Sequence, residues 1–167
     1  MSVEVPIIDI RPLFGEDIGP KAKIAEQIHD VCRGNGFFYI SHHGIDVKQF
    51  LSATNTFHRN VTAEEKWSLA INAYNKANTH KRNGYYLGIP GKKSVESFCI
   101  LNPEFTEKHP RIQDHSPMHE VNIWPDPSRH PEFRKFFEQH FRNMVTLSSA
   151  LLQGFALALG KPEHYFD

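Results

Sequence analysis

Apolar residues recur at helical spacing near both ends of the chain and in short, strand-like runs between them. Val3 to Ile10, VEVPIIDI, predicts a short strand, with Pro6 placing it at a sheet edge or a strand start because proline cannot donate to a ladder. Arg11 to Gly19 predicts a loop. Pro20 suits a first helical turn, and Ile24, Ile28, Val31 and Cys32 then repeat at helical spacing. Gly34 and Gly36 stop that helix, and Cys32 is expected on its buried face as an inert core thiol. Phe37 to Ile40 is a continuous apolar run ahead of Ser41-His42-His43-Gly44, which predicts a buried strand leading into a turn.

From Asp46 a second helix is expected, carrying Val47, Phe50, Leu51, Thr54 and Phe57 on one side. Thr62 and Glu65 form a capping-box pattern that opens a third helix through Trp67, Leu69 and Ala70. The stretch from Lys81 to Asn102 then sets Arg82 beside a glycine turn and two tyrosines. After Ile89-Pro90-Gly91 and two lysines it enters an alternating strand. Alternation places Val95, Ser97, Cys99 and Leu101 on one face, and Glu96, Phe98 and Ile100 on the other. Asn102 to Arg129, with prolines at 103, 110, 117, 125 and 127, predicts a long loop that is functional or covers another element. From about Pro131 to Leu159 the stripe Phe133, Phe137, Phe141, Met144, Leu151, Leu152, Phe155 and Leu159 predicts one long amphipathic helix or two, ended by Gly160. Charge vanishes from Leu147 to Leu159, so that half is expected to be nearly surrounded by protein.

Composition adds limits to this pattern. The 167 residues suffice for one domain with a real core, and 13 phenylalanines point to an aromatic-rich interior. Net charge is zero with histidine neutral, so no bulk field attracts nucleic acid or anionic lipid. Two cysteines make no disulfide framework, which favours a reducing cytoplasm, and no apolar run reads as a signal peptide or a membrane span. The residues alone therefore give a soluble α/β-type domain.

Candidate chemistry is sparse. Eleven histidines invite a metal, but His42 and His43 are adjacent at a strand end and point apart. His130-Pro131-Glu132 opens a helix, and His115 with His119 and Glu120 lies in a proline-flanked loop; neither is expected to hold metal. Cys99 has no visible helix N-terminus or base to activate it, and no phosphate-binding glycine motif occurs. Arg82 offers a planar fork of donors that suits a carboxylate, and a tyrosine hydroxyl can join it. A plain hairpin with surface charge explains the same stretch equally well.

PIIDIRPLFG, GFFYISHHGI, RNGYYLGIPGKKSVESFCILNP, HPRIQ, MHEVNIWPD and SSALLQGFALALGK together resemble the isopenicillin N synthase family, iron(II)- and oxygen-dependent oxidases related to the 2-oxoglutarate dioxygenases. PLFG, GFFY and HGI mark the superfamily, whereas NGYYLGIPGKKSVESFCILNP followed by HEVNIWPD marks the synthases. The resemblance implies an α+β fold: the N-terminal helical and strand part of a β-jelly-roll (double-stranded β-helix) oxidase, with the C-terminal half of the roll missing. Residues 1–167 would be the N-terminal region of a single-domain non-haem iron oxidase.

The implied reaction closes δ-(L-α-aminoadipoyl)-L-cysteinyl-D-valine into isopenicillin N, reducing one dioxygen to two waters. By resemblance, Arg82 and Tyr86 hold the aminoadipoyl carboxylate end and Cys99 lines the substrate. Iron(II) would be held by a His-x-Asp pair and a later histidine beyond residue 167, without 2-oxoglutarate. The implied partners are the tripeptide and dioxygen, with no nucleic acid and no membrane, in a cytoplasmic enzyme that is a monomer when full length. The 167 residues alone are expected to be inactive. Two other readings stay open: the N-terminal region of another 2-oxoglutarate and iron(II) dioxygenase, or a non-catalytic remnant.

Overall fold

A computed structural model describes residues 4–88 and 95–167. The elements in chain order are β1 (Ile7–Asp9), a 3-10 turn (Arg11–Phe14), α1 (Ile18–Arg33), β2 (Tyr39–Ser41), α2 (Val47–Asn60) and α3 (Ala63–Ser68). They continue with β3 (Gly84–Tyr86), β4 (Ser97–Cys99), α4 (Pro110–Gln113) and α5 (Phe133–Ala158). Two compact units emerge: Met1–Ile45 with Arg142–Asp167, and Asp46–Phe141. Among the described residues no helix is long and apolar enough to cross a membrane.

In the first unit β1 and β2 pair in parallel, with Ile7 opposite Tyr39, Ile8 opposite Ile40 and Asp9 opposite Ser41. Pro6 stands just before the ladder, where its missing N–H is harmless, and its carbonyl accepts from the Tyr39 N–H at 2.8 Å. Part of the expected Arg11–Gly19 loop is instead a 3-10 turn, started by Pro12 and driving Leu13 into the core. Asp17 caps α1 by accepting from the Gly19 N–H at 3.0 Å, and Pro20 lies in the first turn as its fixed φ predicts. The helix stops where expected, at Gly34 and then Gly36 with φ of 76°.

Two expectations about α1 and β2 fail in this unit. Cys32 is exposed, not buried. Ile24, Ala25 and Ile28 are buried and Cys32 continues their arc, but it stands in the last turn of α1, past the end of the core, which only the partly buried Val31 still meets there. The run Phe37 to Ile40 is only half buried: Phe38 and Ile40 pack on the core, while Phe37 and Tyr39 are 73% and 65% exposed. A strand alternates its side chains, and only one face of this sheet is covered.

The core joins Ile8, Ile10, Leu13, Ile24 and Ile28 to Leu147 and Ala150 of α5. A Cβ at Gly154 would come within 3.1 Å of both Leu13 and Ile28, so this glycine permits the close approach of α5. The expectation that Leu147 to Leu159 is nearly surrounded is corrected. Leu147, Ala150 and Ala156 are buried, but Leu152 and Leu159 are 44% and 63% exposed, because the core covers one face of an otherwise apolar helix. Gly160, at φ 67°, closes α5 with Lys161 N–H donating to the Ala156 carbonyl and its own N–H to that of Leu157.

In the second unit Asp46 caps α2 through the Gln49 N–H at 2.9 Å. The expected capping box opens α3: Thr62 Oγ1 accepts from the Glu65 N–H, and Glu65 accepts from the Thr62 N–H. The predicted apolar side of α2 is covered only in part, for Phe57 is buried while Val47 and Leu51 are about half exposed. α3 ends at Ser68, short of the predicted Leu69 and Ala70. The Leu69 carbonyl is claimed instead by the Tyr85 N–H at 2.7 Å, and Ala70 forms an isolated bridge with Tyr85. The Asn102–Arg129 stretch is irregular except for the short α4.

The aromatic interior is present here. Phe57, Tyr85 and Phe133 form the core with Val61 and Leu69, and the Phe133 ring lies 4.3 Å from Phe57 and 4.4 Å from Phe137. Tyr85 is fully buried, and its hydroxyl donates to Glu96 Oε2 at 2.8 Å. Lys66 Nζ donates to the same oxygen at 2.6 Å, and His58 Nδ1 stands 3.0 Å from the phenol. A phenol has one proton. With that proton given to Glu96, it can only accept from His58, so the imidazole carries its hydrogen on Nδ1.

Candidate functional site

The site is built on the β3–β4 pair. These strands are antiparallel, with Gly84 opposite Cys99, Tyr85 opposite Phe98 and Tyr86 opposite Ser97. Paired residues share a face, so Tyr85 and Phe98 enter the core while Tyr86, Ser97 and Cys99 line the other side. The alternation expected for Ser97, Phe98 and Cys99 is therefore observed. The Ile89-Pro90-Gly91 turn and the two lysines after it lie outside the described residues.

Arg82 is half-buried, two residues before β3. Both of its backbone polar groups are tied by side chains. Its N–H donates to Glu120 Oε2 at 3.1 Å, and its carbonyl accepts from the Tyr86 hydroxyl at 2.9 Å. Glu120 also accepts from the Lys81 N–H at 3.1 Å and from Asn83 Nδ2 at 2.8 Å. Asn83 is 0% exposed, and its Oδ1 accepts from the Ile123 N–H at 2.8 Å. Asn122 continues this seam by pairing with both backbone groups of Leu101, at 2.7 and 2.8 Å. Segment 120–123 is thus held along the two strands by side chains that act as substitute strand partners.

Among the described residues the Arg82 guanidinium makes no salt bridge, although its charge reaches Tyr86. Burial pushes the Tyr86 phenol up, with Cys99, Glu120 and Tyr74 adding to the rise and Arg82 opposing it. The Tyr74 ring stands edge-on to Tyr86 at 6.5 Å. Burial likewise pushes the Cys99 thiol up, helped by the negative charge of Glu120. A thiol held neutral in this way is a poor nucleophile, so Cys99 is suited to lining a pocket wall. Arg82, Tyr86 and Cys99 are brought together; the sequence reading missed Asn83 and Glu120. The available signal is Glu120 in HEVN, next to His119.

The histidines are engaged elsewhere. His130 Nε2 lies 3.2 Å from Glu65 Oε1, and Arg129 approaches the same carboxylate at 3.5 Å. His119 contacts Arg111 and the Pro117 carbonyl, His43 accepts from the Ile45 N–H, and His42 stands 3.1 Å from Asp9. Among the described residues no three His, Cys, Asp or Glu side chains come together to hold a metal ion. No donor set among the described residues fits an iron site.

The family model described as "non-haem dioxygenase in morphine synthesis N-terminal" matches residues 5–127. Isopenicillin N synthase of Streptomyces clavuligerus is 57% identical over 166 residues, covering 99% of this chain and 50% of that protein. The isopenicillin N synthases of Streptomyces microflavus and Penicillium rubens are 59% and 55% identical over 167 residues, again across 99% of this chain and 50% of theirs. The chain spans about half the length of the curated relatives it matches. Among solved structures, a C-terminally truncated Neurospora crassa protein in its apo form superposes with a TM-score of 0.72 at 22% identity, covering 98% of this chain and 56% of that one. A putative 2OG-Fe(II) oxygenase family protein from Caulobacter crescentus gives 0.68 at 14% identity, covering 99% of this chain and 52% of that one. These likenesses show the fold, and the match over residues 5–127 shows that the chain belongs to the N-terminal family of the non-haem dioxygenases.

Proposed function

We propose that this chain is the N-terminal half of an isopenicillin N synthase, and that Arg82 receives the carboxylate end of δ-(L-α-aminoadipoyl)-L-cysteinyl-D-valine. The observation that carries the reading is a half-buried guanidinium with no salt bridge among the described residues, on a backbone tied at both of its polar groups. Its fork can give a carboxylate two parallel, charge-assisted hydrogen bonds. A carboxylate that draws the Tyr86 hydroxyl exchanges a neutral acceptor, the Arg82 carbonyl, for a charged one, which is the stronger bond. Cys99 lines the same face as a neutral thiol.

In this reading residues 1–167 form the N-terminal region of a single-domain jelly-roll oxidase. The enzyme converts the tripeptide and one dioxygen into the bicyclic product and two waters. The substrate supplies all four electrons, so no 2-oxoglutarate is consumed. Iron(II) is held by residues beyond residue 167. The whole enzyme is a cytoplasmic monomer acting on a small molecule.

The test joins residues 1–167 to the C-terminal half of the Streptomyces clavuligerus synthase. With iron(II), dioxygen and tripeptide, the joined enzyme is expected to release isopenicillin N without 2-oxoglutarate, while the 167-residue chain alone gives none. A folded joined enzyme that leaves the tripeptide untouched, or that consumes 2-oxoglutarate, would refute the assignment in favour of a remnant or another dioxygenase.

A further inference from the structure

We infer that Glu120 is a positioning residue that keeps Arg82 both fixed and available to a substrate carboxylate; the inference rests on the reading of Arg82 above. A carboxylate beside a carboxylate-binding arginine is a liability. It repels the ligand, and it can close a salt bridge that occupies the guanidinium. Among the described residues Glu120 does not close that salt bridge, because its oxygens are taken by other donors.

The Lys81 N–H lies 3.1 Å from both oxygens. The N–H groups of Arg82 and Asn83 reach Oε2 at 3.1 and 3.4 Å, and Asn83 Nδ2 reaches it at 2.8 Å. Successive backbone donors converging on one anion form a nest, and each such bond is charge-assisted. The negative charge is therefore anchored on the main chain of residues 81–83 and not on the guanidinium. No ion pair joins Glu120 to Arg82 among the described residues.

The same contacts fix the base of the arginine. Glu120 holds the Arg82 N–H, Tyr86 holds its carbonyl, and buried Asn83 bridges Glu120 to the Ile123 N–H. A guanidinium on a fixed base loses less freedom when a ligand binds, which appears as tighter binding without a change in the chemistry. Neutralising the carboxylate weakens the nest, frees the 81–83 turn and loosens Arg82.

The experiment is a double-mutant cycle in the joined enzyme, read as KM and kcat for the tripeptide. Glu120→Gln is expected to raise KM about tenfold, the scale of one charge-assisted hydrogen bond, with a much smaller fall in kcat. In an Arg82→Ala background the same replacement should change KM by less than about twofold, because the group it positions is gone. Glu120→Asp, which keeps the charge on a shorter arm, should recover part of the loss. It also takes the place of Glu120→Gln in the cycle if that variant does not fold. Equal KM effects in both backgrounds, or no KM effect beside a sensitive Arg82→Ala, would overturn the positioning role alone. An Arg82→Ala enzyme with unchanged KM would instead overturn the reading of Arg82 itself.

Discussion

Gly84→Ala should lower the stability of the fold by about 2–4 kcal/mol, through strain and collision combined. Gly84 has φ of 119°, where an L side chain is strained, and a Cβ there would lie 2.5 Å from the Leu69 carbonyl oxygen. That oxygen cannot simply move away. It accepts the Tyr85 N–H at 2.7 Å, and both Leu69 and Tyr85 belong to the core of their unit. Relief at one atom therefore breaks a buried hydrogen bond or opens the packing around Tyr85. Gly36 is the natural control, with φ of 76° but open space where a Cβ would stand. Gly36→Ala should cost only the backbone term, about 1 kcal/mol. Urea melting of both variants in the joined enzyme decides the matter. Equal losses at the two sites would mean that the contact with Leu69 is easily relieved.

Arg82→Lys should raise the KM for the tripeptide by roughly 10- to 100-fold, corresponding to about 1.5–3 kcal/mol for hydrogen bonds to a charged group. Lysine keeps the charge but loses the planar fork, so one point contact replaces two parallel bonds. The turnover number should fall much less, since binding is lost without touching the reacting atoms. A collapsed kcat at unchanged KM would move Arg82 from the carboxylate end to the chemistry.

Features carried by short-range physics were legible. The Thr62–Glu65 capping box, the Gly34–Gly36 stop of α1 and the Gly160 end of α5 each depend on a few consecutive residues, and all are present. So is the face assignment of β4, which follows from alternation alone. Errors arose where a distant residue decides. α3 stops early because the Leu69 carbonyl is taken by Tyr85, a partner sixteen positions on that no helical periodicity announces. Cys32 satisfies the apolar spacing, yet the core ends one position short of it. Phe37 and Tyr39 belong to the same run as Phe38 and Ile40, and nothing in the run itself says that only one face is covered. At the site, the donor chemistry of Arg82 was visible in its side chain. The nest that holds it was not, since Glu120 lies 38 residues away.

The network around Tyr85 makes hydroxide a denaturant with a specific point of attack. Burial, then the hydrogen bond to Glu96 and its charge, push this phenol far above its ordinary value of 10.0. A folded chain keeps the ring neutral while an unfolded one releases the proton. The stabilising effect is complete below about pH 10 and is lost as pH climbs through the alkaline range. In an ultraviolet titration the phenolate band of Tyr85 should therefore emerge together with the loss of structure and not before it, because the deep ring can ionise only by leaving the core that Phe57, Phe98 and Phe133 build around it.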